Sequence, residues 1–141
     1  MTISRADTLT TVRKKQEYFS DFLDNFFKTP VGDDLARVTN ERSVDQALKN
    51  LVKTNMGERL FQPTVGGDVY NSLFEQNGIV EGTILEFNIL NMIKYNEPRV
   101  NVLDVTVDTE KEENTLEISI IYSLINNPDP TTLTFLLKRV R

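Results

Sequence analysis

At 141 residues, with 39% hydrophobic and 26% charged side chains and a net charge of −5, the chain is the size and composition of one globular domain with a real core. Its acidic balance argues against a general binder of nucleic acid or of anionic membranes. There is no cysteine and no histidine, which excludes disulfides, thiolate and imidazole metal sites, cysteine nucleophiles and the Ser-His-Asp triad. Any chemistry falls to Asp, Glu, Lys, Tyr, Ser or Thr, and no cofactor or metal is expected.

Residues 1–7 lack the apolar stretch of a signal peptide, and no segment approaches the about 18 apolar residues of a membrane span. Folding in a cytoplasm is therefore expected. Residues 1–17 are polar, with a short basic cluster at Arg13-Lys14-Lys15, and read as a solvated tail. Within residues 18–27, Phe19, Phe22, Leu23 and Phe26 fall at helical spacing. That greasy segment either packs on the domain or anchors a neighbouring subunit. Residues 29–34 read as loop, and residues 1–35 together as an N-terminal arm ahead of a domain spanning 36–141.

A helix is predicted over residues 44–53. Ser43 and Gln46 have the spacing of a capping box, and Val44, Ala47, Leu48, Leu51 and Val52 form one stripe. Gly57 stops it, and Pro63 with Gly66-Gly67 keeps residues 54–67 irregular. So long a connection is either functional or tied down by its own side chains. It carries an acid–base pair, Glu58-Arg59. Its glycines are not a phosphate loop, since no Gly-Lys-Ser/Thr follows. Asp68 is the expected N-cap of a short helix over 69–76 that buries Val69, Tyr70, Leu73 and Phe74, and Asn77-Gly78 breaks it. A third helix over 81–95 has Leu85, Ile89, Met92 and Ile93 as its stripe, widened by Ile84 and Leu90 as if covered on two sides.

That helix runs into Tyr95-Asn96-Glu97-Pro98-Arg99-Val100. Pro98 fixes its own φ and biases Glu97 away from helical ψ. Beyond it the apolar period shortens to 2, which marks strands. Glu97 and Arg99 then share one side of extended backbone. These residues alone read as a helix stop with a surface ion pair. In 101–108, Leu103, Val105 and Val107 alternate with polar residues. In 115–125, Leu116, Ile118, Ile120, Tyr122 and Leu124 take the inner face, and the charged residues 109–114 make the turn of an antiparallel hairpin. Residues 126–130 read as a loop rich in breakers. A last strand places Leu133, Phe135 and Leu137 inward, while Ile121, Ile125, Leu136 and Val140 give the outer face an apolar character that something should cover. The fold class is α+β: three short helices followed by a three-stranded antiparallel sheet, whose open edges suit strand addition by a partner.

The spacing Thr54-x-x-Gly57-Glu58-Arg59-x-Phe61-x-Pro63-x-x-Gly66, followed by Leu73-Phe74-Glu75 and an intact Glu97-Pro98-Arg99, resembles the small baseplate wedge proteins of contractile-tailed bacteriophages. That family includes the small baseplate subunit of type VI secretion systems. Arg42-Ser43-Val44 and Asn126-Asn127-Pro128-Asp129 resemble it too, so the likeness spans roughly residues 40–141. Leu60 departs from a proline frequent in the family, and residues 1–35 carry no likeness. The resemblance implies a non-enzymatic subunit of the virion tail baseplate, assembled in the host cytoplasm in multiple copies of a sixfold structure. Its partners would be the helical core bundle of other wedge subunits and the tail-sheath protein, whose first ring it would template by strand exchange. The resemblance assigns partner binding to Glu97, Pro98 and Arg99, supported by Glu58 and Arg59, and a fold-defining role to Gly57, Phe61, Pro63 and Gly66.

A lysozyme-like hydrolase is the competing reading, because a glycosidase needs only two carboxylates. Its candidates are Glu58, Asp68, Glu75 and Glu97. Arginines beside Glu58 and Glu97 favour the ionised carboxylate, the wrong direction for a general acid. An equivalent subunit of a type VI secretion baseplate is a third reading.

Overall fold

The computed structural model describes residues 16–67, 69–72, 79–108 and 115–138. A short hairpin, β1 (Ser20–Phe22) against β2 (Arg37–Thr39), leads into α1 (Glu41–Lys53). A helical turn, α2 (Val69–Ser72), precedes the long helix α3 (Ile79–Asn96). Three strands follow, β3 (Val100–Asp108), β4 (Thr115–Leu124) and β5 (Asn127–Lys138), antiparallel in the order β3-β4-β5. The α+β class and the three-stranded sheet are as expected. The three short helices are not: there are two full helices, of which α3 has 18 residues, and the described part of α2 is one turn. Leu73, Phe74, Glu75 and Asn77-Gly78 lie outside the described residues, as do Asp68, the turn at 109–114 and residues 1–15 and 139–141. Among the described residues no helix is long and apolar enough to cross a membrane.

One apolar cluster unites the elements. Val44, Leu48 and Val52 of α1 meet Ile89 and Ile93 of α3 over the inner face of the sheet. In the central strand, Ile120 stands between Val105 and Leu133, and Ile118 between Val107 and Phe135. Each fully buried side chain of this size contributes roughly 1.5–3 kcal/mol. Met92 and Leu85 complete the α3 stripe, but Ile84 is exposed, so the helix is covered on one side in this chain.

Four local expectations are overturned. Residues 20–22 are a strand, not helix, and an isolated bridge between Lys28 and Leu35 continues the hairpin. α1 begins at Glu41, so Ser43 lies inside it, buried and with its Oγ unbonded, and no capping box forms. The period-2 ladder of β3 is interrupted, with Val102 opposite Tyr122 but Asp104 opposite Ile121. Leu103 is the extra residue of that bulge and is 53% exposed. One inserted residue shifts the alternation, so Val100 is buried and Val102 packs against the core in its place. Finally, the loop at 126–130 shrinks to a turn at Ile125-Asn126, and β5 itself carries Pro128 and Pro130. An edge strand tolerates proline because one side of its backbone has no ladder to feed.

Candidate functional site

Where α3 meets the sheet, Glu97 N–H makes the final helical bond, to Ile93 O at 2.8 Å. Pro98 has no N–H to continue, and the chain turns, with Val100 N donating to Glu97 O at 3.3 Å. Ile125 N donates to Arg99 O at 3.1 Å, which ties this junction to the β4–β5 turn. The turn brings the two side chains together as a fork. Arg99 Nε donates to Glu97 Oε1 at 2.7 Å and Nη2 to Oε2 at 2.6 Å. Glu97 is only 8% exposed, so the expected surface pair is in fact a partly buried, bidentate clasp, the stronger and more directional kind. The hydrogen bond to Glu97 holds the Arg99 guanidinium above its already high range, against the opposing effect of burial, and the field of Asp21 adds to it. Phe19 covers the guanidinium from the hairpin, its ring centroid 5.6 Å from Cζ.

The loop at 54–67 is closed by its own backbone. Gly57 N donates to Pro63 O at 2.9 Å and Gly67 N to Thr54 O at 3.1 Å. Gly66 has φ +137°, and a Cβ there would lie 2.6 Å from Thr54 O, so only glycine fits. Glu58 Oε2 accepts Asn55 N at 2.8 Å and closes the first turn of the loop. Phe61, at φ 67°, is 98% exposed, so its ring takes no part in the loop's interior. Pro98 is exposed at the junction.

An open cleft of about 870 Å³ separates the loop from α1 and the end of α3. Its lining includes Asp21, Asn50, Glu58, Arg59, Tyr95 and Glu97. The structure therefore brings Glu58, Arg59 and Glu97 to one cleft, while Arg99 faces Phe19. Among the described residues no group of acidic side chains gathers as a metal site.

Sequence reasoning missed the side chains that stitch this region together. Asn40, in a left-handed backbone conformation, accepts Tyr18 N at 2.9 Å through Oδ1 and donates Nδ2 to Gln16 O at 3.0 Å. Gln46 Nε2 donates to Phe22 O at 2.7 Å, and Asn50 Nδ2 to Asp24 Oδ1 at 2.9 Å. Their partners are more than 20 positions away, and no local pattern carries such a pairing. A further polar bond crosses the core, from Tyr122 Oη to Asp45 Oδ1 at 2.7 Å. Burial, then this hydrogen bond, pushes the Tyr122 phenol well above its usual range.

The α+β fold recurs in solved structures. It superposes on a chain of the anti-feeding prophage baseplate with a TM-score of 0.66 at 23% identity, covering 79% of this chain and 89% of that one. A Geobacter sulfurreducens protein with a provisional tail-lysozyme label gives 0.64 at 22% identity, covering 72% and 92%. At such identities these likenesses establish the fold alone. The sequence profile of the family described as baseplate wedge protein gp25 matches residues 38–129. The baseplate wedge protein gp25 of Enterobacteria phage T4 is 32% identical over 111 residues, 79% of this chain and 83% of that protein. The chain belongs to the baseplate wedge protein gp25 family.

Proposed function

We propose that the chain is a non-catalytic structural subunit of a contractile-tail baseplate, present in several copies around a sixfold axis. It grips a helical core bundle through the Glu97–Arg99 junction and offers a strand edge to the first ring of tail sheath. The observation that carries the reading is the clasp. Glu97 and Arg99 already satisfy each other, yet the Arg99 side chain stays 29% exposed and keeps donors that no described residue takes up. Glu58 and Arg59 border the same cleft as Glu97 and support the junction from the loop.

The two sheet edges differ in a way that supports the templating role. On β3, Val107 N–H turns away from the ladder and is taken by Glu86 Oε1 of α3 at 2.9 Å, and the bulge at Leu103 distorts the rest. On β5, Pro130 lies opposite Ser123 and has no N–H to give the ladder, so its backbone faces outward. Alternation along the strand then turns the backbone groups of Thr132, Thr134 and Leu136 outward as well. Among the described residues, that three-residue edge is open to an added strand.

Hydrolysis is disfavoured by the same geometry. Both oxygens of Glu97 accept from Arg99, and Glu58 closes its own turn. Asp68 and Glu75 lie outside the described residues. The test is complementation of a tail-assembly system lacking this chain, scored as assembled particles by electron microscopy. Replacing Glu97 and Arg99 together by alanine removes both charges at once and leaves no unpaired charge; the backbone loses only the long bond from Arg99 N to Glu97 Oε1 at 3.4 Å. The double variant is expected to melt as the parent does and to yield no baseplates; normal tails, or an unfolded variant, would refute the junction role. In the same assay Thr134→Pro is expected to fold and to form baseplates without sheath. A Thr134→Pro chain that supports full sheath would show that the β5 edge is not the template.

A further inference from the structure

We infer that the N-terminal hairpin braces the junction, and that Phe19 is the positioning residue that fixes the Arg99 guanidinium for a partner. The inference rests on the proposed junction role and concerns the part of the chain that precedes the family match, which begins at residue 38.

Glu97 engages Arg99 along one edge, through Nε and Nη2. Among the described residues nothing accepts from Nη1 or from the second Nη2 proton, which remain for another acceptor. A bidentate edge contact fixes the guanidinium within its own plane but still lets it rock out of that plane, which spreads the directions of those donors. A second, face-on contact removes that freedom. The Phe19 ring supplies it at 5.6 Å, within the range in which an aromatic face attracts a cation. Carboxylate edge and aromatic face together leave one direction for the unused donors.

Phe19 is itself held in place. Asn40 N–H donates to Phe19 O at 2.8 Å, and Asn40 Oδ1 accepts Tyr18 N at 2.9 Å. Asn40 is buried and adopts φ 52°, ψ −123°, a backbone state unfavourable for a residue with a Cβ. Its side chain is spent on the strand and makes no cap bond to α1. A helix start that forgoes its cap and accepts a left-handed residue to fasten residues 16–19 makes that lead into β1 part of the site. Gln46 and Asn50 fasten the far side of the hairpin to α1. Asp21, on the same strand, lines the cleft with Glu97.

The test compares Phe19→Tyr, which keeps the ring, with Phe19→Leu, which keeps apolar bulk without a π-face. In the full chain, nitrogen and proton NMR signals of the Arg99 guanidinium are expected to be displaced by the ring in the parent and in Phe19→Tyr. In Phe19→Leu, which keeps apolar bulk against the core, they are expected to lose the ring's displacement and keep that of the Glu97 carboxylate, while the chain still melts in one transition. In tail assembly with parent and variant co-expressed at equal dose, Phe19→Leu is expected to be incorporated about three-fold less often, the scale of a partly exposed cation–π contact. Phe19→Tyr is expected to match the parent. A Phe19→Leu chain with parental Arg99 signals and parental incorporation would overturn the brace. If the Glu97/Arg99 double variant fails to assemble while Phe19→Leu behaves as the parent, only the brace falls. If the double variant assembles, the junction role falls first.

Discussion

Helix α3 and the β1–β2 hairpin both converge on the Glu97–Arg99 junction, and they are attached to the domain by different chemistry. α3 is held by oil: Leu85, Ile89, Met92 and Ile93 are buried in the common core. The hairpin is held mainly by side-chain amides, with Asn40 bonding the lead into β1 and Gln46 and Asn50 bonding the strand and turn. Apolar burial is insensitive to small shifts and spreads over many contacts. Amide bonds net about 1 kcal/mol each and fail one at a time. The junction thus has one rigid wall and one that opens locally, so changes to each should differ in size and in reach.

The largest effect is expected in the apolar layer that α3 shares with the sheet. Ile120, buried in β4 between Val105 and Leu133, leaves a cavity when replaced by alanine, at a cost of about 3 kcal/mol. Urea unfolding followed by circular dichroism should show a single transition at a lower midpoint, because this layer belongs to the whole domain. Loss of the hairpin alone, with the sheet unaffected, would break the contrast.

A smaller effect is expected where polar chemistry enters that layer. Tyr122→Phe removes the bond to Asp45, at a cost of about 1.5 kcal/mol. The Tyr122 phenol has a raised folded pKa, so its stabilisation is complete below the unfolded value of about 10 and is lost as pH rises beyond it. The stability difference between parent and Tyr122→Phe should therefore be flat from pH 7 to 9. Above pH 10 it should shrink by up to about 1.4 kcal/mol per pH unit. A difference that grew with pH would place the phenol's partner elsewhere.

The same contrast decides what could be read from the residues. The stripes of α1 and α3 and the alternation of β4 were legible, because a face that must be buried imposes its period on neighbouring positions. The hairpin was not. Phe19, Phe22, Leu23 and Phe26 have helical spacing, but the strand pairs with residues 37–39 and its region is fastened by the amides of Asn40 and Gln46. Such bonds leave no periodic trace. Pro128 and Pro130 read as loop because the sequence does not say which strand will be at an edge. A single bulge moved Leu103 off the inner face that Val105 and Val107 keep. At the junction the two charged residues and their shared side were legible. The near burial of Glu97 and the ring over Arg99 were not, since both arise from contacts distant in sequence, the ring from Phe19.

The smallest global effect, and the sharpest test of the contrast, belongs to Gln46. Its Nε2 donates to Phe22 O at 2.7 Å and its Oε1 accepts Asp24 N at 3.3 Å, from an α1 position that also faces water. Gln46→Ala should lower global stability by no more than about 1 kcal/mol, because alanine favours the helix while two amide bonds to the hairpin are lost. The effect should be local: amide hydrogen exchange is expected to accelerate across β1, β2 and the Asn40 contacts while the β4 amides stay protected. Arg99 should sense it at a distance, since Phe19 immediately precedes the loosened strand. Unchanged exchange in β1, or equal acceleration in β4, would show that the hairpin opens only with the whole domain, and the junction would then have two rigid walls.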